Sequence, residues 1–120
     1  MSTGEEFQRL TSRLHMQDRS YVLAELNDLL TNAAVDQIAE LPAPSLEDVY
    51  LSNYVAAMVE QAVYRKEGKR LPSWTSGIAP LSSPVFGAPW MSLRPHLLLH
   101  SPVPFRRRNI FIDSSIGDRV

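Results

Sequence analysis

Seven prolines, Pro72, Pro80, Pro84, Pro89, Pro95, Pro102 and Pro104, fall within 33 residues in the second half of this chain. Each removes a backbone donor, fixes its own φ and pushes its predecessor away from helical geometry. Neither a long helix nor a central strand fits such a stretch. Ahead of it only Pro42 and Pro44 intervene, and the apolar residues recur at helical spacing. The pattern predicts a mainly α fold in a single domain over residues 1–120. Residues 1–70 form a three-helix core. Residues 71–120 form a proline-rich wrap that ends in one short terminal strand.

The helices can be placed from their caps and stripes. In "TGEEF", Thr3 and Glu6 have capping-box spacing, and Glu5 and Glu6 suit the positive end of a helix dipole. Phe7, Leu10 and Leu14 then share a face. Asp18 is the expected cap of a second helix carrying Val22, Leu23, Leu26, Leu29, Leu30 and Ala33, with Glu25 and Asp28 turned outward. That helix continues or restarts through "AAVDQIAEL" before Pro42. Ser45 and Asp48 mark the start of a third helix, and Gly68 is placed just past its end. Leu51, Val55, Met58, Val59 and Ala62 form its stripe, widened by Val49, Tyr50 and Ala57. So broad a stripe belongs to a helix contacted on two sides.

Charge divides along the chain. Residues 1–60 hold ten acidic residues and three arginines, whereas residues 61–120 hold nine basic and three acidic residues. Either the two halves attract each other, or the basic half faces an acidic partner, protein or nucleic acid. With no cysteine, the chain has neither a disulfide framework nor a thiolate site. No apolar run approaches the roughly 18 residues of a membrane span. "MSTGEEF" lacks the basic-then-apolar order of a signal peptide. A cytoplasmic protein is expected, with no membrane partner.

Catalytic patterns are absent. His96 and His100 have the i, i+4 spacing of a metal pair, but neither a glutamate after His96 nor a third ligand completes it. A place near the C-terminus of a short helix in "MSLRPHLLLH" explains both as well. The serines stand in no G-x-S-x-G elbow, and the five glycines are scattered rather than gathered in a phosphate loop. The expectation is therefore a non-enzyme without metal or cofactor. Arg65, Lys66, Lys69 and Arg70 with Arg106, Arg107 and Arg108 offer phosphate contacts. Yet the sequence pI near 6.3 is far from the basic values of dedicated nucleic-acid modules. DNA is at most a secondary, salt-sensitive partner.

The stretch "SPVPFRRRNIFIDSS" carries the sharpest question. If it is extended, Ile110 and Ile112 face one way and Phe111 the other, so both sides need burial. It is then either a core strand closing the domain or an exposed segment that docks by strand addition or by anchoring Phe111, flanked by Arg107 and Arg108. "LPSWTSGIAPLSSPVFGAPW" is too apolar for a free linker. Its Trp74 and Trp90 serve first as core ballast and second as interface anchors.

In "LEDVYLSNYVAAMVEQAVYRKEGKRLPSW" and "LRPHLLLHSPVPFRRRNIFIDSSIGDRV" the chain resembles a group of small bacterial proteins common in actinobacteria. These share a helix ending near Pro-x-Trp, a leucine-rich stretch and S-P-x-x-F-R-R-R-x-I-F-I. They are often paired with a nucleotidyltransferase-like protein in the manner of toxin–antitoxin modules. The likeness covers roughly residues 46–120, and it departs after Trp74, where similar proteins carry a longer aromatic-rich stretch. It implies an antitoxin that neutralises a partner enzyme by occluding its active site. The implied partner-binding residues are Trp74, Phe105, Arg106, Arg107, Arg108, Ile110, Phe111 and Ile112; Trp90 joins them only through its own reading as an interface anchor. The matching positions also include Pro72, Ser101 and Pro102. A DNA-binding regulator, including an autorepressor, and a scaffold subunit are the alternatives.

Overall fold

The computed structural model describes residues 2–15, 19–83, 85–86 and 103–111. Helix α1 spans Thr3–Ser12 and passes into a 3₁₀ turn at Arg13–His15; α2 spans Arg19–Asn32 and α3 Val35–Ala39. Helix α4, Val49–Arg65, is the longest at 17 residues. After it come a 3₁₀ segment, Ser73–Gly77, strand β1 (Val85–Phe86), a one-turn helix α5 (Val103–Arg106) and strand β2 (Ile110–Phe111). The fold is mainly helical.

Caps set the boundaries, in places one residue from where the sequence pattern put them. Ser2, not Thr3, caps α1: its Oγ accepts the Glu5 N–H at 3.1 Å. Its hydroxyl also donates to the Glu5 carboxylate, so Glu5 rather than Glu6 is the acidic side chain that reaches back to the cap. Glu6 instead pairs with Arg9 one turn on. At α4 Asp48 is the cap, accepting the Leu51 N–H at 3.1 Å, and Ser45 lies ahead of the helix in an irregular segment. The stretch "AAVDQIAEL" restarts as α3, where the Gln37 side chain accepts the Ala34 N–H at 2.8 Å. The Asp18 cap and the "MSLRPHLLLH" helix lie outside the described residues.

The end of α4 differs from expectation in an instructive way. The residue in the left-handed region is Glu67, at φ 55°, not Gly68. Gly68 N–H bonds the Val63 carbonyl at 2.9 Å and Glu67 N–H bonds that of Tyr64 at 3.1 Å, the paired bonds of a Schellman cap. Glycine is required at 68 for a different reason. A Cβ there would stand 2.7 Å from Val35 Cγ1 and 2.9 Å from Val63 Cγ1. Its absence lets the chain pass close over both valines.

The core is continuous from Phe7 in α1 to Ile110 in β2. Phe7, Leu10 and Leu14 meet Val22, Leu26 and Leu30 of α2, and Ile38 and Leu41 close one end. Around α4 everything from Asn53 to Val59 is buried. Helices α2, α3 and α5 and the Ser73–Gly77 segment all pack on it, so it is covered on more than the two sides its stripe implied. Val49 is the exception, mostly exposed at the first turn. Each large side chain so enclosed contributes about 1.5–3 kcal/mol. Among the described residues no helix is long and apolar enough to cross a membrane.

The terminal strand finds its partner in β1. The two run parallel, with Val85 opposite Ile110 and Phe86 opposite Phe111, and Val85 N–H donates to the Asn109 carbonyl at 2.8 Å. Two residues lying between Pro84 and Pro89 thus satisfy the edge that a lone strand would leave open.

Candidate partner-binding site

The segment from Val103 to Phe111 is shaped by its own sequence. Pro104 sits in the first turn of α5, where its missing N–H costs no intrahelical bond. The turn closes through Arg107 N–H to the Val103 carbonyl and Arg108 N–H to that of Phe105, both at 3.0 Å. Asn109 then takes φ 63°, a left-handed position that asparagine tolerates better than most residues. Its side chain donates to the Leu81 carbonyl. That reversal aims Ile110 and Phe111 back into the body, both buried.

The three arginines have three different fates. Arg108 is 5% exposed. Its Nε donates to Glu60 Oε1 at 2.8 Å and its Nη2 to the Thr75 carbonyl at 2.8 Å. Its Nη1 reaches both Asn53 Oδ1 at 2.9 Å and the Ile78 carbonyl at 3.1 Å. Asn53, itself fully buried, is held in turn by the carbonyls of Val49 and Ala79 at 3.0 and 3.1 Å. A planar guanidinium with five donors suits such a multi-acceptor nest, and a lysine would not. Arg106 is half-buried and Arg107 is exposed. Neither makes an ion pair among the described residues.

Other residues singled out by the sequence are equally committed. Phe105 is fully buried, edge-on to Tyr54 with ring centroids 5.1 Å apart. Burial there pushes the Tyr54 hydroxyl well above its ordinary pKa, and the neighbouring Tyr50 adds to the shift. Trp74 is half-buried against Phe7 and donates its indole N–H to the Leu41 carbonyl at 2.9 Å. Of the two roles open to this stretch, Phe105, Arg108, Ile110 and Phe111 occupy the interior one, with their side chains buried. Trp90 and Ile112 lie outside the described residues, as do His96 and His100.

What the segment presents outward is a groove. It lies between the last turn of α4 and the single turn of α5, with a volume of about 440 Å³. Val63 and Pro104, both buried, line it together with Gly68. Tyr64, Leu71 and Val103 also line it and are 72%, 44% and 41% exposed. Lys69 and Arg107 contribute positive charge, and Glu60, the one acidic lining residue among those described, is held by Arg108. The halves of opposite charge also meet elsewhere, as in Arg70–Glu40 at 2.9 Å.

Sequence reasoning missed Asn53, Glu60 and Thr75, the acceptors around Arg108, and the convergence of Tyr64, Leu71 and Val103. A buried asparagine on an apolar helix was the one available signal. Among the described residues no three His, Asp or Glu side chains gather as metal ligands. Comparison with protein-family models, curated proteins and solved structures found no match.

Proposed function

We propose that the chain is a non-catalytic protein-binding module that neutralises a partner enzyme, as an antitoxin does its toxin. The observation that carries this reading is the groove at the α4–α5 junction. There three exposed apolar side chains and two cations without ion-pair partners among the described residues converge on an otherwise well-packed body. The resemblance of the S-P-x-x-F-R-R-R-x-I-F-I segment to antitoxin-like proteins supports the same reading. The arginine run enters this mechanism unequally. Arg108 builds the scaffold, while Arg107 and the groove meet the partner.

A tagged copy expressed in the parent organism tests the proposal. It is expected to retain a stoichiometric enzyme that stops growth when produced alone and is silenced when this chain is co-expressed. Recovery of the chain by itself, with a harmless protein or with DNA alone, overturns it.

A further inference from the structure

The groove's chemistry points to what it takes. Resting on the binding-module reading, we infer that it receives a partner segment in which a large aliphatic or aromatic side chain stands beside carboxylates. A scattered exposed apolar residue needs no explanation. Here three of them, Tyr64, Leu71 and Val103, gather around one depression, while the other large exposed ones among the described residues, Tyr21 and Val49, do not line it. Its volume of about 440 Å³ lies within the range of clefts that enclose a compact apolar group.

Charge selects the flanks of that group. Lys69 and Arg107 are exposed and have no ion-pair partner among the described residues. Glu60, the sole acidic lining residue among the described ones, is already paired with Arg108. The uncompensated charge is therefore positive and complements Asp or Glu on the occupant. A nucleic-acid strand fits less well. Backbone recognition needs a track of cations, and of the cations near the end of α4, Lys66 is already bonded to the Thr31 carbonyl and Arg70 to Glu40.

The walls are also preformed. The Schellman cap and the close approach at Gly68 fix one side, and the Arg108 nest fixes the other. A fixed cleft loses little order when it is filled.

The test uses the full chain and random dodecapeptides displayed on phage, panned in parallel against wild type and the Lys69→Glu/Arg107→Glu double variant. Both substituted positions are exposed, and a matching thermal melt establishes that the variant is folded. Enriched peptides are expected to place Leu, Ile, Phe, Tyr or Trp within a few positions of Asp or Glu. A synthetic consensus peptide is expected to bind the double variant about tenfold or more weakly, and to bind Tyr64→Ala more weakly as well. No enrichment, enrichment of basic peptides, or equal binding to the double variant overturns the inference. So does preferential binding of anionic phosphatidylserine vesicles or of a DNA duplex. The two proposals fail separately. A growth-inhibiting partner silenced equally well by wild type and the double variant removes the groove but keeps the module. Peptide binding without such a partner keeps the groove and removes the antitoxin.

Discussion

Replacing Arg108 with methionine separates its role from that of its two neighbours. The side chain makes four hydrogen bonds. Two of the acceptors belong to buried residues, Asn53 and Thr75, and are stranded by the change at about 1–3 kcal/mol each. The Glu60 side chain, 21% exposed, regains water, and so does the carbonyl of half-buried Ile78, so these two lose less. Methionine restores part of the packing and relieves the desolvation of a buried guanidinium. The expected net loss is about 3–4 kcal/mol, inside the range for removing one partner of a buried ion pair. That is a large share of the roughly 5–15 kcal/mol that holds a typical domain. Urea denaturation followed by circular dichroism measures it as a lower midpoint at unchanged slope. Arg106→Met and Arg107→Met serve as controls, each expected within about 0.5 kcal/mol of wild type. Adding Glu60→Gln to Arg108→Met should cost less than Glu60→Gln costs alone, a coupling of about 1 kcal/mol. If Arg108→Met is no more destabilising than Arg107→Met, the guanidinium does not hold the carboxyl-terminal segment and the description of the nest is wrong.

Three further predictions concern other positions. Glu67→Gly should stabilise the chain by up to about 1 kcal/mol by relieving left-handed strain, whereas Gly68→Ala should destabilise it by about 1–3 kcal/mol through overlap with Val35 and Val63, both read from thermal or urea midpoints. Tyr54 keeps its proton in the folded state at pH values where the unfolded chain, with its tyrosines near 10, has already released it. Its contribution to stability is therefore intact below about pH 10 and lost as pH rises beyond it, so wild type should lose more stability than Tyr54→Phe in alkaline urea titrations. Parallel slopes for the two proteins would show that the hydroxyl is not shielded.

Helix α4 was legible because its signals are local: an aspartate cap, a broad apolar stripe and a glycine near the end. Phe7, Leu26 and Val59 were legible for the same reason. What escaped was set by partners far along the chain. Nothing near Asn53 announces that its Oδ1 faces a guanidinium 55 positions away. Three identical arginines in a row share one local signature, and only the αL turn at Asn109 and the acceptors on α4 and at Ser73–Gly77 decide which one points inward. The strand partner Val85–Phe86 is too short to carry a period and is surrounded by prolines. The displaced caps at Ser2 and Glu67 reflect two adjacent residues able to do one job, where tertiary packing makes the choice. The groove was not legible, because Tyr64, Leu71 and Val103 become neighbours only after α5 docks.

The nest that joins Arg108 to Asn53, Thr75 and Ile78 also bears on synthesis, because its parts leave the ribosome at different times. A ribosome releases the chain from its amino end, and α1 to α4 are complete long before residue 105 emerges. Until then α4 has no Phe105 against Tyr54, and no Ile110 to complete the core. Closing so large a loop carries an entropic cost that local helix formation does not. A nascent chain stalled or cut short of Arg108 leaves an open seam along its central helix, the kind of surface that proteases and chaperones engage. The full-length protein and its truncated forms should therefore differ sharply in cellular lifetime, with the carboxyl-terminal turn acting as the clasp.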